Sequence, residues 1–202
     1  MARAMGQIDV AKSEAILDAA ADVMSERGVQ ASVDEIARRA GVSKQTIYNH
    51  YGSKAEMVRV LAARRVDEIT AALDAPDAMD DPQAALAGYG RVLLQLLLSP
   101  RGLALFRMCM LGADAMPDVA RAMYEAGPRS SRGRLAQFLE AETRAGRLNC
   151  PDPMEAAEFF SGMVVSTRQS ALMLGMPRTL SDADIDRIAD EAARRFLKAY
   201  AS

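Results

Sequence analysis

Between Ser32 and Glu56 the sequence gathers side chains suited to reading a nucleic acid. The heptapeptide Lys44-Gln45-Thr46-Ile47-Tyr48-Asn49-His50 has one plainly apolar member, Ile47. A surface helix that only needed solvation would usually carry Glu and Lys. This one offers donors and acceptors of the kinds that reach base edges and phosphate oxygens. No acidic residue occurs from Ile36 to Ala55, whereas Arg38, Arg39, Lys44 and Lys54 are basic. The chain as a whole has 25 Lys+Arg against 27 Asp+Glu, a formal net charge of −2. A protein coated in basic charge is excluded, and this gap is a local cationic face where phosphate would lie. A helix beginning at Lys54 adds free N–H groups beside a cation, an anion site in waiting.

The elements that must hold these residues are marked by their punctuation. Ile16, Ala19, Ala20, Val23 and Met24 recur at helical spacing within Asp9 to Arg27, and Gly28 stands where a helix ends. Ser32-Val33-Asp34-Glu35 has the form of a capping box opening a short helix, with Val33, Ile36, Ala37 and Ala40 on one face. Gly41-Val42-Ser43 makes a tight turn, and Ser43 can cap the helix Lys44 to His50. Two short helices across such a turn form a helix-turn-helix. Gly52-Ser53 ends the unit, and Ser53 to Glu56 is a second capping box for a helix running to about Leu73. Further helices are predicted from Asp81-Pro82 to Leu98, from Ser99-Pro100 to Gly112, and from Pro117 to Gly146 with an end or kink at Gly127-Pro128. A long apolar helix is predicted from Asp152-Pro153 to Gly175, before Pro177, and a last one opens at Ser181. No segment alternates with the period of a strand, so the fold class is all-α, with about nine or ten helices. The domain division expected is 1–53 for helix-turn-helix and 54–202 for the rest, with 54–74 a connecting helix.

Other chemistries are poorly provided for. One histidine in 202 residues leaves little room for a His-based metal site or triad. The two cysteines, Cys109 and Cys150, lie far apart and make neither a disulfide framework nor a metal pair. No metal or cofactor is expected, and an enzyme would need a nucleophile with its base, or paired carboxylates in a pocket. Met1 to Glu14 lacks the apolar run of a signal peptide, and the most apolar stretch, Phe159 to Pro177, contains Arg168 and Gln169. A cytoplasmic protein with reduced thiols and no membrane segment is the expectation.

The C-terminal part carries many methionines, soft fillers suited to an adaptable apolar pocket and equally common in ordinary cores. Phe106, Met110, Met123 and Met163 are the candidate ligand-binding residues. Arg91, Arg107 and Arg168 fall in apolar helices, where an internal ion pair or a snorkelling surface position is favoured over contact with an anionic ligand. Cys109 reads as a buried, inert thiol. The Pro153–Leu174 segment and the stripe Ile185, Ile188, Ala192, Phe196 look too apolar for the chain to bury alone, and a four-helix dimer seam is predicted from them.

Residues Ala11 to Leu61 resemble the N-terminal domain of the TetR family of bacterial transcriptional regulators. The likeness rests on Ile16, Ala19, Ala20, Gly28, Val33, Ile36, Ala37, Ala40, Gly41-Val42-Ser43, Thr46, Ile47-Tyr48, His50-Tyr51, Ser53-Lys54 and Met57. The family usually has Phe where this chain has Tyr51. The remainder is more weakly similar to one TetR subfamily, through Leu103 to Arg107, Pro117 to Ala120 and Asp152-Pro153. The resemblance implies an all-α homodimer that binds a palindromic operator in double-stranded DNA, most often as a repressor, and is released by a small apolar or aromatic ligand held in the C-terminal domain. Ser32, His50 and Lys54 would then meet phosphate, while Thr46 and Tyr48 fix the backbone register. Lys44 and Gln45 would read bases, Asn49 would do either, and Ser43 borders the same face. The alternatives are that His50 only caps its helix, that Tyr48 packs its ring on the first helix and that Lys44 is merely solvated. The competing function is a helical ligand-binding or interaction protein without DNA binding, in which acids or apolar residues should have drifted into Lys44 to His50. None is there.

Overall fold

A computed structural model describes residues 10–176 and 180–201 of the chain. The expectations for Asp9, Pro177 and the first nine residues lie outside them. The described residues form α1 (Val10–Arg27), a 3-10 turn (Gly28–Gln30), α2 (Val33–Ala40), α3 (Lys44–Tyr51), α4 (Lys54–Thr70), α5 (Pro82–Leu98), α6 (Pro100–Leu111), α7 (Pro117–Tyr124), a π turn (Glu125–Arg129), α8 (Ser130–Arg144), α9 (Pro153–Val165), α10 (Arg168–Met173) and α11 (Asp182–Ala199). The fold is all-α. Among the described residues the only β pairing is one isolated bridge, Leu148 to Ala201. No single helix among them is long and apolar enough to cross a membrane.

The chain forms two compact units. The first is Met1–Leu61 with Ala104–Met123, and the second is Ala62–Leu103 with Tyr124–Ser202. The first unit is therefore discontinuous. Its core joins Ile16, Ala20 and Met24 of α1 to Ile36 of α2, Ile47 of α3, and Met57, Val58 and Leu61 of α4. Leu105, Met108 and Cys109 of α6 and Val119 of α7 complete the same core. Each fully buried aliphatic or methionine side chain contributes about 1.5–3 kcal/mol. The α6 and α7 residues thus help to hold the helix-turn-helix.

In the second unit α5 packs on α11, and α8 on α9. An aromatic row threads its core: Tyr89 to Phe160 at 6.0 Å, Phe160 to Phe196 at 5.2 Å and Phe196 to Tyr200 at 4.6 Å between ring centroids. The Tyr89 hydroxyl, buried here, lies 2.9 Å from Ser131 Oγ. Ile185, Ile188, Ala192 and Phe196 are all buried within the chain itself. The stripe expected to seek a second copy is satisfied internally, because α5 offers a complementary run that includes Leu86, Leu93 and Leu94. Arg91 pairs with Asp186 and, at 3.8 Å, with Asp190; the pair is partly exposed, between the internal ion pair and the surface position expected of it.

Three predicted elements differ. The long helix from Pro153 stops at Val165, and Ser166 adopts φ 49°, ψ −141°. Arg168 donates Nη1 to the freed carbonyl of Val164 at 3.0 Å. At Gly127-Pro128 the helical course neither ends nor breaks. It widens into the π turn, whose extra residue makes room for a proline ring that would clash within an α turn. The helix α4 ends at Thr70, three residues early, where Thr70 bonds back to Val66 O at 2.9 Å and accepts from Arg134 at 3.0 Å.

Candidate nucleic-acid interface

Local signals build the helix-turn-helix. Ser32 Oγ accepts from the Glu35 amide at 3.2 Å and so caps α2. The second half of the expected capping box is not made: Glu35 Oε2 accepts from the Ser32 hydroxyl at 3.4 Å rather than from its backbone N–H, and Oε1 lies 3.3 Å from Arg27. Gly41 takes the left-handed conformation, φ 66°, which a side chain would resist, and the Val42 amide closes on Ala37 O at 3.0 Å. Ser43 Oγ accepts from the Thr46 amide at 3.0 Å and lies 2.8 Å from Thr46 Oγ1. These bonds fix the angle at which α3 leaves the turn.

On α3, Ile47 and Tyr51 point into the core, at 1% and 6% exposure. The helical period then leaves Lys44, Gln45, Tyr48, Asn49 and His50 exposed, with Thr46 half-buried. The structure thus brings the predicted residues of α3 together as one polar surface. Lys44 Nζ lies 5.9 Å from the centroid of the Tyr48 ring, and Gln45 Nε2 donates to Asn49 Oδ1 at 2.7 Å. The imidazole of His50 meets the Tyr51 ring edge-on at 4.4 Å, and its Nε2 is 3.5 Å from Ser13 Oγ. Ser13 also lies 3.0 Å from the Tyr51 hydroxyl, so the phenol in place of the family's usual Phe is accommodated by a partner on α1.

Lys54 sits differently from its companions. Its ammonium, half-buried, donates to Ala31 O at 2.9 Å and reaches Met116 Sδ at 3.8 Å. Burial lowers its pKa. The cation ties the start of α4 to the end of the 3-10 turn and to the segment before α7.

Sequence reasoning did not identify the acids at this surface. The window free of Asp and Glu is bordered in space by residues outside it. Asp34 Oδ2 accepts from Lys44 Nζ at 3.0 Å, and Glu26 receives both Arg39 nitrogens at 2.6 and 2.8 Å. Each partner raises the pKa of its cation, chiefly through the hydrogen bond itself. The capping-box reading had already singled out Ser32 to Glu35, but a one-dimensional window cannot show that the first turn of α2 reaches the first turn of α3.

Of the candidate ligand-binding residues, Phe106 and Met123 are half-buried and Met110 is exposed, all three in the first unit. Met163, on α9 of the second unit, is also exposed.

A short capped helix, a glycine turn and a second helix with an exposed polar face define a helix-turn-helix DNA-binding regulator. Comparison with known proteins carries this to the family. Residues 16–61 match the profile of the bacterial regulatory proteins of the tetR family, and residues 84–202 match the C-terminal domain of AefR-like transcriptional repressors. The chain belongs to the TetR family, whose members are transcriptional regulators rather than enzymes. The regulator AlkX of Mycobacterium tuberculosis is 29% identical over 127 residues, 57% of this chain and 60% of that protein. The activator FasR of Mycolicibacterium smegmatis is 46% identical over 55 residues, 27% of this chain and 25% of FasR. These matches span at most about 60% of the length of the curated relatives. Among solved structures, a TetR-family regulator from Mesorhizobium loti superposes with TM-score 0.81 at 26% identity, covering 98% of this chain and all of that one. The flavonoid-responsive regulator FrrA gives TM-score 0.72 at 30% identity, covering 96% and 98%.

Proposed function

We propose that this regulator is a repressor that binds a palindromic operator as a homodimer and is released by a small apolar or aromatic effector. The observation that carries the reading is the exposed polar face of α3, held by core residues on its other side. Lys44 and Gln45 read bases, Lys donating to guanine and Gln pairing with adenine, and Asn49 assists. Ser32, Ser43, Thr46, Tyr48 and His50 meet the phosphate backbone around them, and Lys54 supports that contact from the start of α4. The match to a repressor C-terminal domain supports repression. So does an HTH-type repressor of Mycobacterium tuberculosis that is 30% identical over 112 residues. The likeness to FrrA, a flavonoid-responsive regulator, supports an aromatic effector. A cytoplasmic location follows from the DNA partner.

The test is selection of operators from random duplexes. The expected product is a pseudo-palindrome whose half-sites lie a whole number of helical turns apart, about 34–36 Å per turn. Lys44→Ala or Gln45→Ala should relax base preference by about 1–3 kcal/mol at one position of each half-site. Recovery of no preferred sequence would refute operator reading. Planar aromatic compounds that stabilise the protein thermally should weaken operator binding by roughly 5–150-fold.

A further inference from the structure

Lys44 belongs to the proposed DNA surface, yet its ammonium is already occupied. Asp34 Oδ2 accepts from it at 3.0 Å, and the Tyr48 ring stands 5.9 Å away. Both side chains of the ion pair are substantially exposed, 50% for Lys44 and 66% for Asp34. An exposed pair of this kind contributes little to stability. Its position gives it another consequence. Asp34 stands in the first turn of α2, beside Ser32, where helix N–H groups would otherwise favour a phosphate. It reaches into a basic segment otherwise free of acid and holds a residue of α3.

We propose that Asp34 is a specificity-determining residue, an internal competitor that keeps Lys44 from the phosphate backbone of DNA lacking the operator sequence. A phosphate on arbitrary DNA offers Lys44 the same kind of partner that Asp34 already provides, so the exchange gains little and releases few counterions. A correct base at the operator adds a directed acceptor, and Lys44 is drawn to it. Asp34 therefore lowers the non-specific background against which an operator must be found, which is the quantity that matters in a genome. The inference rests on Lys44 facing DNA, as proposed above.

The experiment measures binding of the full-length protein to a mixed-sequence duplex of about 30 base pairs, by fluorescence anisotropy, from about 50 to 200 mM KCl. Asp34→Asn keeps the size of the side chain and removes its charge; Asp34→Ser serves as a second variant, and thermal unfolding verifies both. Freeing Lys44 adds one phosphate contact, so the slope of log K against log salt should steepen by about 0.9. Affinity at about 100 mM salt should rise roughly two- to fivefold, the range set by the strength of such a pair. In a Lys44→Met background Asp34→Asn should leave slope and affinity unchanged. Persistence of the gain there would mean general repulsion and would overturn the proposal. So would an unchanged slope in Asp34→Asn when Lys44→Met alone weakens binding. If Lys44→Met alters nothing even when combined with Asp34→Asn, the reading of Lys44 as a DNA contact itself fails.

Discussion

The side-chain Nε2 of Gln45 donates to the side-chain Oδ1 of Asn49 at 2.7 Å, one turn along the exposed face of α3. Each side chain orients the other, so that the pair offers a fixed set of donors and acceptors to a base pair. Gln45→Ala and Asn49→Ala should therefore not add. Each single substitution should reduce discrimination between the selected operator and a one-base variant, and the double variant should lose little more than either. A coupling of about 0.5–3 kcal/mol is expected from residues in direct contact. Anisotropy titrations of the four proteins on both duplexes measure it, and strict additivity would show that the two amides act separately.

From the end of α1 to the start of α4 the boundaries are legible because each carries its own chemical signal. Ser32, Ser43 and Ser53 each accept an amide at a helix start, and Gly41 and Gly52 take positive φ where helices end. The exposed face of α3 followed from one apolar residue among polar neighbours. Contacts between segments were not legible. Nothing in the sequence shows Asp34 reaching Lys44 or Lys54 turning to Ala31 O, because both depend on how helices cross. The burial of Leu105, Met108 and Cys109 in the same core as Ile47 is likewise a tertiary fact. Periodicity gave the apolar stripe of α11 correctly and its partner wrongly, since a stripe does not name what covers it. The break at Ser166 failed for a related reason: an apolar run reads as one helix until its backbone is seen to turn.

Cys109 should be chemically quiet in the folded protein. It is 5% exposed, and burial pushes its thiol up to about 11 from the ordinary 9.0, with Lys54 pulling weakly the other way. At pH 8 a rise of about two units leaves roughly a hundredfold less thiolate than in the unfolded chain, so alkylation by iodoacetamide should be slow until urea is added. The sign of the linkage follows. A thiol whose folded pKa lies above its unfolded value contributes stability that is full below about pH 9 and is lost as pH rises toward 11. Cys109→Ala should accordingly show a shallower fall in stability over that interval than the parent protein. Rapid native alkylation of Cys109, mapped by mass spectrometry, would contradict the burial on which this rests.

With the α11 stripe buried internally, the proposed homodimer needs other exposed apolar surface, and α9 is one of the elements that offers it. Phe159 is 54% exposed and Met163 39%, one helical turn apart, and Gly162 between them has open space where a side chain would stand. A symmetric interface uses the same patch twice, so each substitution counts twice in the dimer. A central aromatic anchor is typically worth at least about 2 kcal/mol when truncated, which doubles to about 4 kcal/mol, or roughly a thousandfold in dimer dissociation. Phe159→Glu should therefore give monomers at micromolar concentration in sedimentation velocity, with an unfolding transition close to the parent's because the side chain is exposed in the protomer. Gly162→Glu should do the same by steric and charge exclusion. Both variants should bind a half-site weakly and lose the cooperative grip on a full operator. A parent protein that sediments as a monomer, or a Phe159→Glu dimer of unchanged affinity, would move the seam elsewhere.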